Sequence, residues 1–200
     1  MKFLNKERLN LLIALCAILI STASFYATYQ QAKAANLQVK VMTMPIVEFS
    51  HGNFDIKEKK PLISFTLKNA GSGPAILKSI QFNYKNILYS NHTDFLKGCC
   101  KKDYNELMKN IASAKREERN ISFDSGGIVS SPTENTIIPA KSDFEFLRVY
   151  KGDLSIDLWE KIDQERFNLS LIACFCSPLG DCYQSNSEHI SVEVNSCPTG

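Results

Sequence analysis

Three closely spaced cysteines, Cys174, Cys176 and Cys182, are the residues of this chain best suited to carry out chemistry. They lie in the stretch Phe167–Tyr183, where a strand-like apolar run leads into a Ser-Pro-Leu-Gly-Asp turn. Thiols at this spacing can form a disulfide clamp, a soft-metal site or a redox centre. The cellular compartment decides among these chemistries, because disulfides persist in oxidising surroundings and are rare in the cytosol.

The N-terminus predicts that these cysteines are exported. Residues 1–8 form a basic cytoplasmic tail, and the uncharged segment Leu9–Tyr29 is long enough and apolar enough to cross a membrane. A signal peptide cleaved near Ala32-Lys33-Ala34 is the alternative, but that position lies far beyond the apolar run. We favour an uncleaved, single-pass inner-membrane anchor with its N-terminus in the cytoplasm. Residues 30–36 are then a spacer, and residues 37–200 are a periplasmic or otherwise extracytoplasmic domain.

Export makes disulfides the first expectation for the six cysteines that follow the anchor. Cys176 and Cys182 flank a five-residue turn, and opposed strand positions bring two cysteines close enough to bond. This local pair is favoured. Cys174 with Cys197 is a second pair, which would hold the C-terminus to the core. The adjacent Cys99 and Cys100 could form a vicinal bridge, serve as a thiol-redox site or join another pairing.

A metal site is the alternative for Cys174 and Cys176. Residues two apart in a strand point to the same face, so two thiolates could share a soft ion such as copper(I). An N-terminal anchor that carries a β-sandwich with Cys-Phe-Cys is similar to the copper chaperones of cytochrome oxidase assembly, although the similarity is limited to those three residues. The oxidising compartment favours disulfides over a metal site, so we expect no cofactor.

The hydrophobic pattern predicts a mainly β domain with two helices. Gly- and Pro-rich turns separate segments with a period of two, which is typical of an antiparallel sandwich. The segments from Asp124 to Asn135 and from His51 to Lys60 are interpreted as loops. Asp103 and Glu106 predict a capping box for an inserted helix at about residues 103–119, and a short amphipathic helix is expected at about residues 155–164. The predicted strands are residues 37–41, 61–68, 76–84, 87–89, 136–138, 144–150, 166–176 and 190–194.

Further motifs resemble a family. The chain contains three such motifs. They are a structural turn of Asn69, Gly71, Gly73 and Pro74 (Asn-x-Gly-x-Gly-Pro-Ala), the segment Thr136–Ala140, and the cysteine hairpin Phe175–Tyr183 followed by Cys197. With the anchor, they resemble uncharacterised bacterial envelope proteins that carry an immunoglobulin-like β-sandwich. The resemblance implies an immunoglobulin-like fold and an envelope location, and it implies no activity.

The net charge and the motifs of the chain narrow the classes of function that we expect. The tail accounts for the net charge of +2, so the rest of the chain is neutral, unlike a nucleic-acid-binding surface. We find no catalytic constellation among the histidines, serines and carboxylates, and expect no catalytic residues. The sequence therefore favours a non-enzymatic module that contacts the membrane through its N-terminal helix and binds an unidentified envelope protein. Copper handling and thiol-redox chemistry are the alternatives.

Overall fold

The computed structural model describes residues 6–117, 122–186 and 190–198. Residues 1–5 of the predicted tail and residues 118–119 of the predicted inserted helix lie outside the described residues. The chain divides into two compact units, Met1–Met42 and Thr43–Gly200.

The described part of the first unit is one helix, α1 (Lys6–Met42), which is long and apolar enough to cross a membrane by length and composition. It continues through the predicted spacer and through residues 37–41, so the strand predicted there is wrong. Residues 30–42 are rich in Gln, Ala and Lys and contain neither Gly nor Pro, so nothing in the local sequence ends the helix before Pro45. The second unit accordingly begins at Thr43 and not at Leu37.

The second unit consists mainly of two antiparallel sheets. The first sheet has the strand order β1-β2-β7-β5, and the second has the order β10-β9-β8-β3-β4, with β6 also paired to β3. The ten strands of the described residues are β1 (Val47–Asp55), β2 (Lys60–Asn69), β3 (Ala75–Tyr84), β4 (Ile87–Tyr89), β5 (Gly127–Ser130), β6 (Thr136–Ile138), β7 (Ser142–Tyr150), β8 (Leu169–Cys176), β9 (Cys182–Ser185) and β10 (Val192–Val194).

The two sheets share one hydrophobic core. Phe65 of β2, Phe146 of β7 and Phe82 of β3 belong to it, and the ring centroid of Phe146 lies 6.5 Å from that of Phe65 and 5.9 Å from that of Phe82. The coarse expectation of an antiparallel, mainly β unit with an N-terminal apolar helix is therefore confirmed.

Two predicted loops contain strands. Residues His51–Asp55 belong to β1, and residues 127–130 of the predicted loop at Asp124–Asn135 form β5. The sequence did not predict β1 because the residues near His51 are largely polar or charged. Their side chains face solvent or pack against neighbouring elements, since β1 lies at a sheet edge. Strand β5 is short and lies at the opposite edge of the same sheet.

Both predicted helices are present, but the first one starts earlier. Helix α2 (His92–Arg116) begins after Asn91, whose side chain accepts a hydrogen bond from the Asp94 amide. Asp103 lies inside α2, so the capping box predicted at Asp103 and Glu106 is wrong. Helix α3 (Ile156–Glu165) buries Leu158, Trp159 and Ile162, the apolar side of its amphipathic pattern.

Candidate functional site

The cysteine hairpin is formed by strands β8 and β9 and the turn between them. The Ser177 amide donates to the Asp181 carbonyl at 2.7 Å, and the Gly180 amide donates to the Ser177 carbonyl at 3.0 Å. This closed turn sets the strand register so that Cys176 lies directly opposite Cys182.

The cysteines of β8 lie on the outer face of their sheet. Leu171, Ala173 and Phe175 enter the shared core, and the alternating residues Cys174 and Cys176 face away from it. The C-terminal segment reaches this outer face because β10 pairs with β9, with Val194 opposite Cys182. The chain then continues to Cys197.

Two disulfides form at this face, Cys176–Cys182 and Cys174–Cys197, with Cα–Cα distances of 3.9 and 5.6 Å. The first is the pair that the sequence favoured, and the other is the second pair that it suggested. Cys174 and Cys176 share a face, but each is bonded to a different partner, so neither offers a thiolate here. The sulfur atoms that converge belong to Cys176, Cys182 and Cys197, all within 4.8 Å of one another.

A pocket of about 480 Å³ is lined in part by these three cysteines. Lys78 and Asn135 form part of its wall, and the Lys78 ammonium donates to the Asn135 side-chain oxygen at 3.0 Å. Cys182 and Cys197 are half-exposed, whereas Cys174 and Cys176 are only 2% and 7% exposed. One cysteine of each disulfide is therefore more exposed than the other.

Cys99 and Cys100 form a vicinal disulfide within helix α2. Adjacent side chains of an α-helix point about 100° apart, so two neighbouring sulfurs can bond only if the backbone leaves helical geometry. Cys100 does so, with φ −141° and ψ 37°, and the helix is kinked there. The preceding Gly98 packs so closely on the Tyr89 side chain that a Cβ atom at residue 98 would lie 2.6 Å or less from the Tyr89 hydroxyl oxygen and two of its ring carbons.

The predicted structural turn is organised around the Asn69 side chain, which is fully buried. Its amide nitrogen donates to the carbonyls of Gly73, Ile138 and Pro139, and its oxygen accepts from the amides of Ile46 and Gly71. A Cβ atom at residue 73 would lie 1.8 Å from the Thr43 carbonyl oxygen, so close backbone approach requires glycine there. Pro74 follows directly and leads into β3.

A second candidate site, not foreseen from the sequence, is a groove of about 520 Å³ between β1 and β8. Buried Val47, Leu171 and Ala173 contribute apolar surface to it, and Ser50 and Ser170 add polar groups. Strand β9 pairs only with residues 173–176 of β8, so residues 169–172 have no strand partner on that side among the described residues. Strand β1 likewise ends its sheet. Two strand edges therefore border this groove, which we call the edge groove.

His51 lines the edge groove and is held by Arg166. The Arg166 guanidinium donates to His51 Nδ1 at 2.7 Å and to the Asp163 carboxylate at 2.9 Å. Burial, followed by the nearby charge of Arg166, lowers the pKa of His51. The imidazole is therefore kept neutral, with Nδ1 as an acceptor. No motif marked this pair, because the two residues lie 115 positions apart.

Comparisons of the chain with protein-family models, with curated proteins and with solved structures gave no match.

Proposed function

We propose that this chain is a membrane-anchored, extracytoplasmic binding module with an immunoglobulin-like fold, related to the bacterial envelope proteins that its motifs resemble. The edge groove carries the binding role, because two strand edges beside an apolar floor suit an extended peptide. The disulfides, helix α1 and the order of the strands support the location and the fold.

The disulfides support the extracytoplasmic location. Six of the seven cysteines are bonded in pairs, and all six belong to the unit Thr43–Gly200. The free one, Cys16, lies in helix α1. Disulfides of this number persist where the surroundings are oxidising and are rare in the cytosol.

Helix α1 supports anchoring in the bacterial inner membrane. Its 37 residues would extend about 55 Å at 1.5 Å per residue, more than the ~30 Å hydrocarbon core requires. Basic residues precede the apolar run, which favours a cytoplasmic N-terminus. Carbonate extraction of membranes, combined with N-terminal sequencing of the mature chain, tests the anchor. A mature chain that starts after Ala34 would instead establish a cleaved signal.

Strand order supports the immunoglobulin-like fold. In such domains strands A, B, E and D form one sheet and strands C, F and G form the other. The order β1-β2-β7-β5 corresponds to A-B-E-D, and β9-β8-β3 corresponds to G-F-C. Helix α2 then occupies the connection between the additional strand β4 and strand D.

The edge groove suits an extended polypeptide segment of a partner protein. Edge strands present main-chain donors and acceptors to an added strand, and pockets beside them select its side chains. Leu171 and Ala173 line the groove where the shared core reaches the unpaired edge of β8, and Ser170 stands at that edge.

A random-peptide display library, panned on the detergent-solubilised full chain, tests this role. We expect the selected peptides to lose at least about tenfold in affinity for Ser170→Arg, which would place a long cation in the edge groove. Ser130→Arg is the matched control, because Ser130 lies on β5, at the edge of the first sheet that is opposite β1, and does not line the edge groove. Equal binding by wild type and both variants, or a library that yields no binder, would contradict the proposal.

A soft-metal role is the second candidate. It is favoured by the convergence of the Cys176, Cys182 and Cys197 sulfurs, which one copper(I) ion could bridge once both disulfides are reduced. Anaerobic titration of the fully reduced chain with copper(I) against a competing chelator tests it. Loss of binding in Cys197→Ala but not in Cys99→Ala/Cys100→Ala would support this site.

A further inference from the structure

The two disulfides of the cysteine hairpin lie in contact with each other. Sγ of Cys176, bonded to Cys182, is 3.9 Å from Sγ of Cys197, which is bonded to Cys174. Neither sulfur carries a hydrogen in this state, so the approach is van der Waals contact and not a hydrogen bond. A thiolate formed at Cys176 would already be next to the sulfur atom of a second disulfide.

We propose that this cluster is a thiol–disulfide exchange relay that oxidises dithiols. The incoming dithiol attacks Cys182, and the bond exchange then passes through Cys176 to Cys197 and ends at Cys174. The substrate class is a compound or protein with two neighbouring thiols that reaches the pocket above the hairpin. The relay needs no metal ion and does not depend on the edge groove.

Access to the cluster suits this order of attack. Cys182 is partly exposed and lines the pocket of about 480 Å³, whereas its partner Cys176 is only 7% exposed. Lys78 also lines this pocket, and a cationic side chain there favours the approach of an anionic thiolate. An attack on Cys182 makes Cys176 the leaving sulfur, which is the sulfur in contact with Cys197.

Each exchange forms one bond and breaks one. A thiol of the substrate loses its proton, and its thiolate bonds to Cys182 Sγ, while the Cys176–Cys182 bond breaks and its electron pair stays on Cys176. The Cys176 thiolate then bonds to Cys197 Sγ. The Cys174–Cys197 bond breaks, and Cys174 leaves with the electron pair and takes up a proton.

The second thiol of the substrate completes the reaction. It attacks the substrate sulfur of the mixed disulfide, so that the substrate departs as an oxidised disulfide and Cys182 is released as a thiol. The dithiol has lost two electrons and two protons, and the protein has gained thiols at Cys174 and Cys182. The remaining disulfide joins Cys176 to Cys197, so the C-terminal segment stays covalently attached to β8 throughout.

Disulfide mapping after partial reduction tests the relay on the full wild-type chain. The oxidised protein is treated with equimolar dithiothreitol, quenched in acid, denatured and alkylated, and its peptides are mapped by mass spectrometry. We expect thiols at Cys174 and Cys182 and a new Cys176–Cys197 linkage as the main product. Protein unfolded before the treatment should instead give a mixture of linkages.

Each other pattern overturns the relay. Thiols at Cys176 and Cys182 with Cys174–Cys197 intact would mean that exchange stops at the first disulfide. Thiols at Cys174 and Cys197 would mean that the dithiol attacks the Cys174–Cys197 disulfide and not Cys182. Thiols only at Cys99 and Cys100, or no reaction, would mean that the hairpin disulfides do not exchange with a dithiol.

Two double variants sharpen the test. Cys174→Ala/Cys197→Ala removes the receiving disulfide, so the same treatment should leave thiols at Cys176 and Cys182. Cys99→Ala/Cys100→Ala is the matched control and should keep the wild-type pattern at the hairpin. If the control changes that pattern, or if the first variant leaves Cys182 oxidised while folded, the relay is wrong.

Discussion

The side-chain amide of Asn69 donates a 3.2 Å hydrogen bond to the carbonyl oxygen of Ile138, 69 residues further along the chain. Asn69 ends β2 in one sheet, and Ile138 ends β6 in the other. One fully buried side chain therefore ties the two sheets together. Its other hydrogen bonds hold the turn that follows β2 and the segment that precedes β1.

Replacement of Asn69 by Ala should lower the free energy of unfolding by at least about 3 kcal/mol, because several buried backbone groups lose their partner at once. Denaturant titration of the full chain in detergent measures the change. Asn83→Ala is the control, because Asn83 is half-buried on β3, and we expect a change within about 0.5 kcal/mol. Similar losses for the two variants would contradict the role assigned to Asn69.

Removal of the Cys174–Cys197 disulfide should cost about 1 kcal/mol more stability than removal of Cys176–Cys182. The two bonds close sequence separations of 23 and 6 residues, and a longer loop loses more conformational freedom in the unfolded chain. Each pair includes one buried cysteine, so the two double Ala variants are matched in the burial of the residues they replace. Unfolding midpoints under oxidising conditions provide the comparison, and the reverse order would disprove the expectation.

Cys99→Ala/Cys100→Ala should increase the helical signal in circular dichroism. Without the vicinal bond, residue 100 is free to adopt helical dihedrals in place of φ −141° and ψ 37°, so the kink in α2 can straighten. The variant Cys174→Ala/Cys197→Ala removes a disulfide outside the helices and should leave the signal unchanged. A thiol-redox role at Cys99 and Cys100 predicts, in addition, that the first variant loses any reductase activity of the chain. An unchanged helical signal in the first variant would mean that the disulfide does not cause the kink.

Glu165 should make stability depend on acidity. Hydrogen bonds from Lys85 and Tyr84, in that order of importance, lower the pKa of Glu165 from 4.5 to about 2. A carboxylate with a lowered pKa in the folded state stabilises the protein above its ordinary pKa. This contribution should be complete above about pH 4.5 and lost as the pH falls towards 2.

The variant Glu165→Gln measures this contribution. Wild type should be more stable than the variant at neutral pH, and the difference should shrink as the pH falls below 4.5. Glu106→Gln, at an exposed position of α2, is the control and should follow the wild-type profile. A constant difference between wild type and Glu165→Gln at all pH values would show that protonation of Glu165 is not the cause.

Local patterns in the sequence predicted the parts of the fold that depend on neighbouring residues. The turn at Asn69 and the opposed positions of Cys176 and Cys182 follow from short spacings, and the alternation in β3 is visible directly. The alternation of Leu37, Val39 and Val41 was misleading, because these residues continue a helix that no Gly or Pro ends. Strand β1 shows the opposite error, since its pairing with β2 outweighs the polar character of residues near His51.

The candidate sites needed the tertiary structure. The contact between Cys176 and Cys197 depends on the path of the C-terminal segment past β9, which no spacing rule gives. The edge groove depends on where β9 stops pairing with β8. The sequence did indicate disulfide chemistry, because the N-terminal segment predicts export of every cysteine after Cys16.

The pairing of six cysteines leaves Cys16 as the one free thiol of the native chain. A maleimide or nitroxide reagent would therefore modify a single position without any engineered substitution. A nitroxide on Cys16 would report how deeply this part of α1 is immersed in a lipid bilayer, through its accessibility to oxygen and to water-soluble relaxation agents. The chain thus carries its own spectroscopic label site in the segment on which the proposed membrane attachment depends.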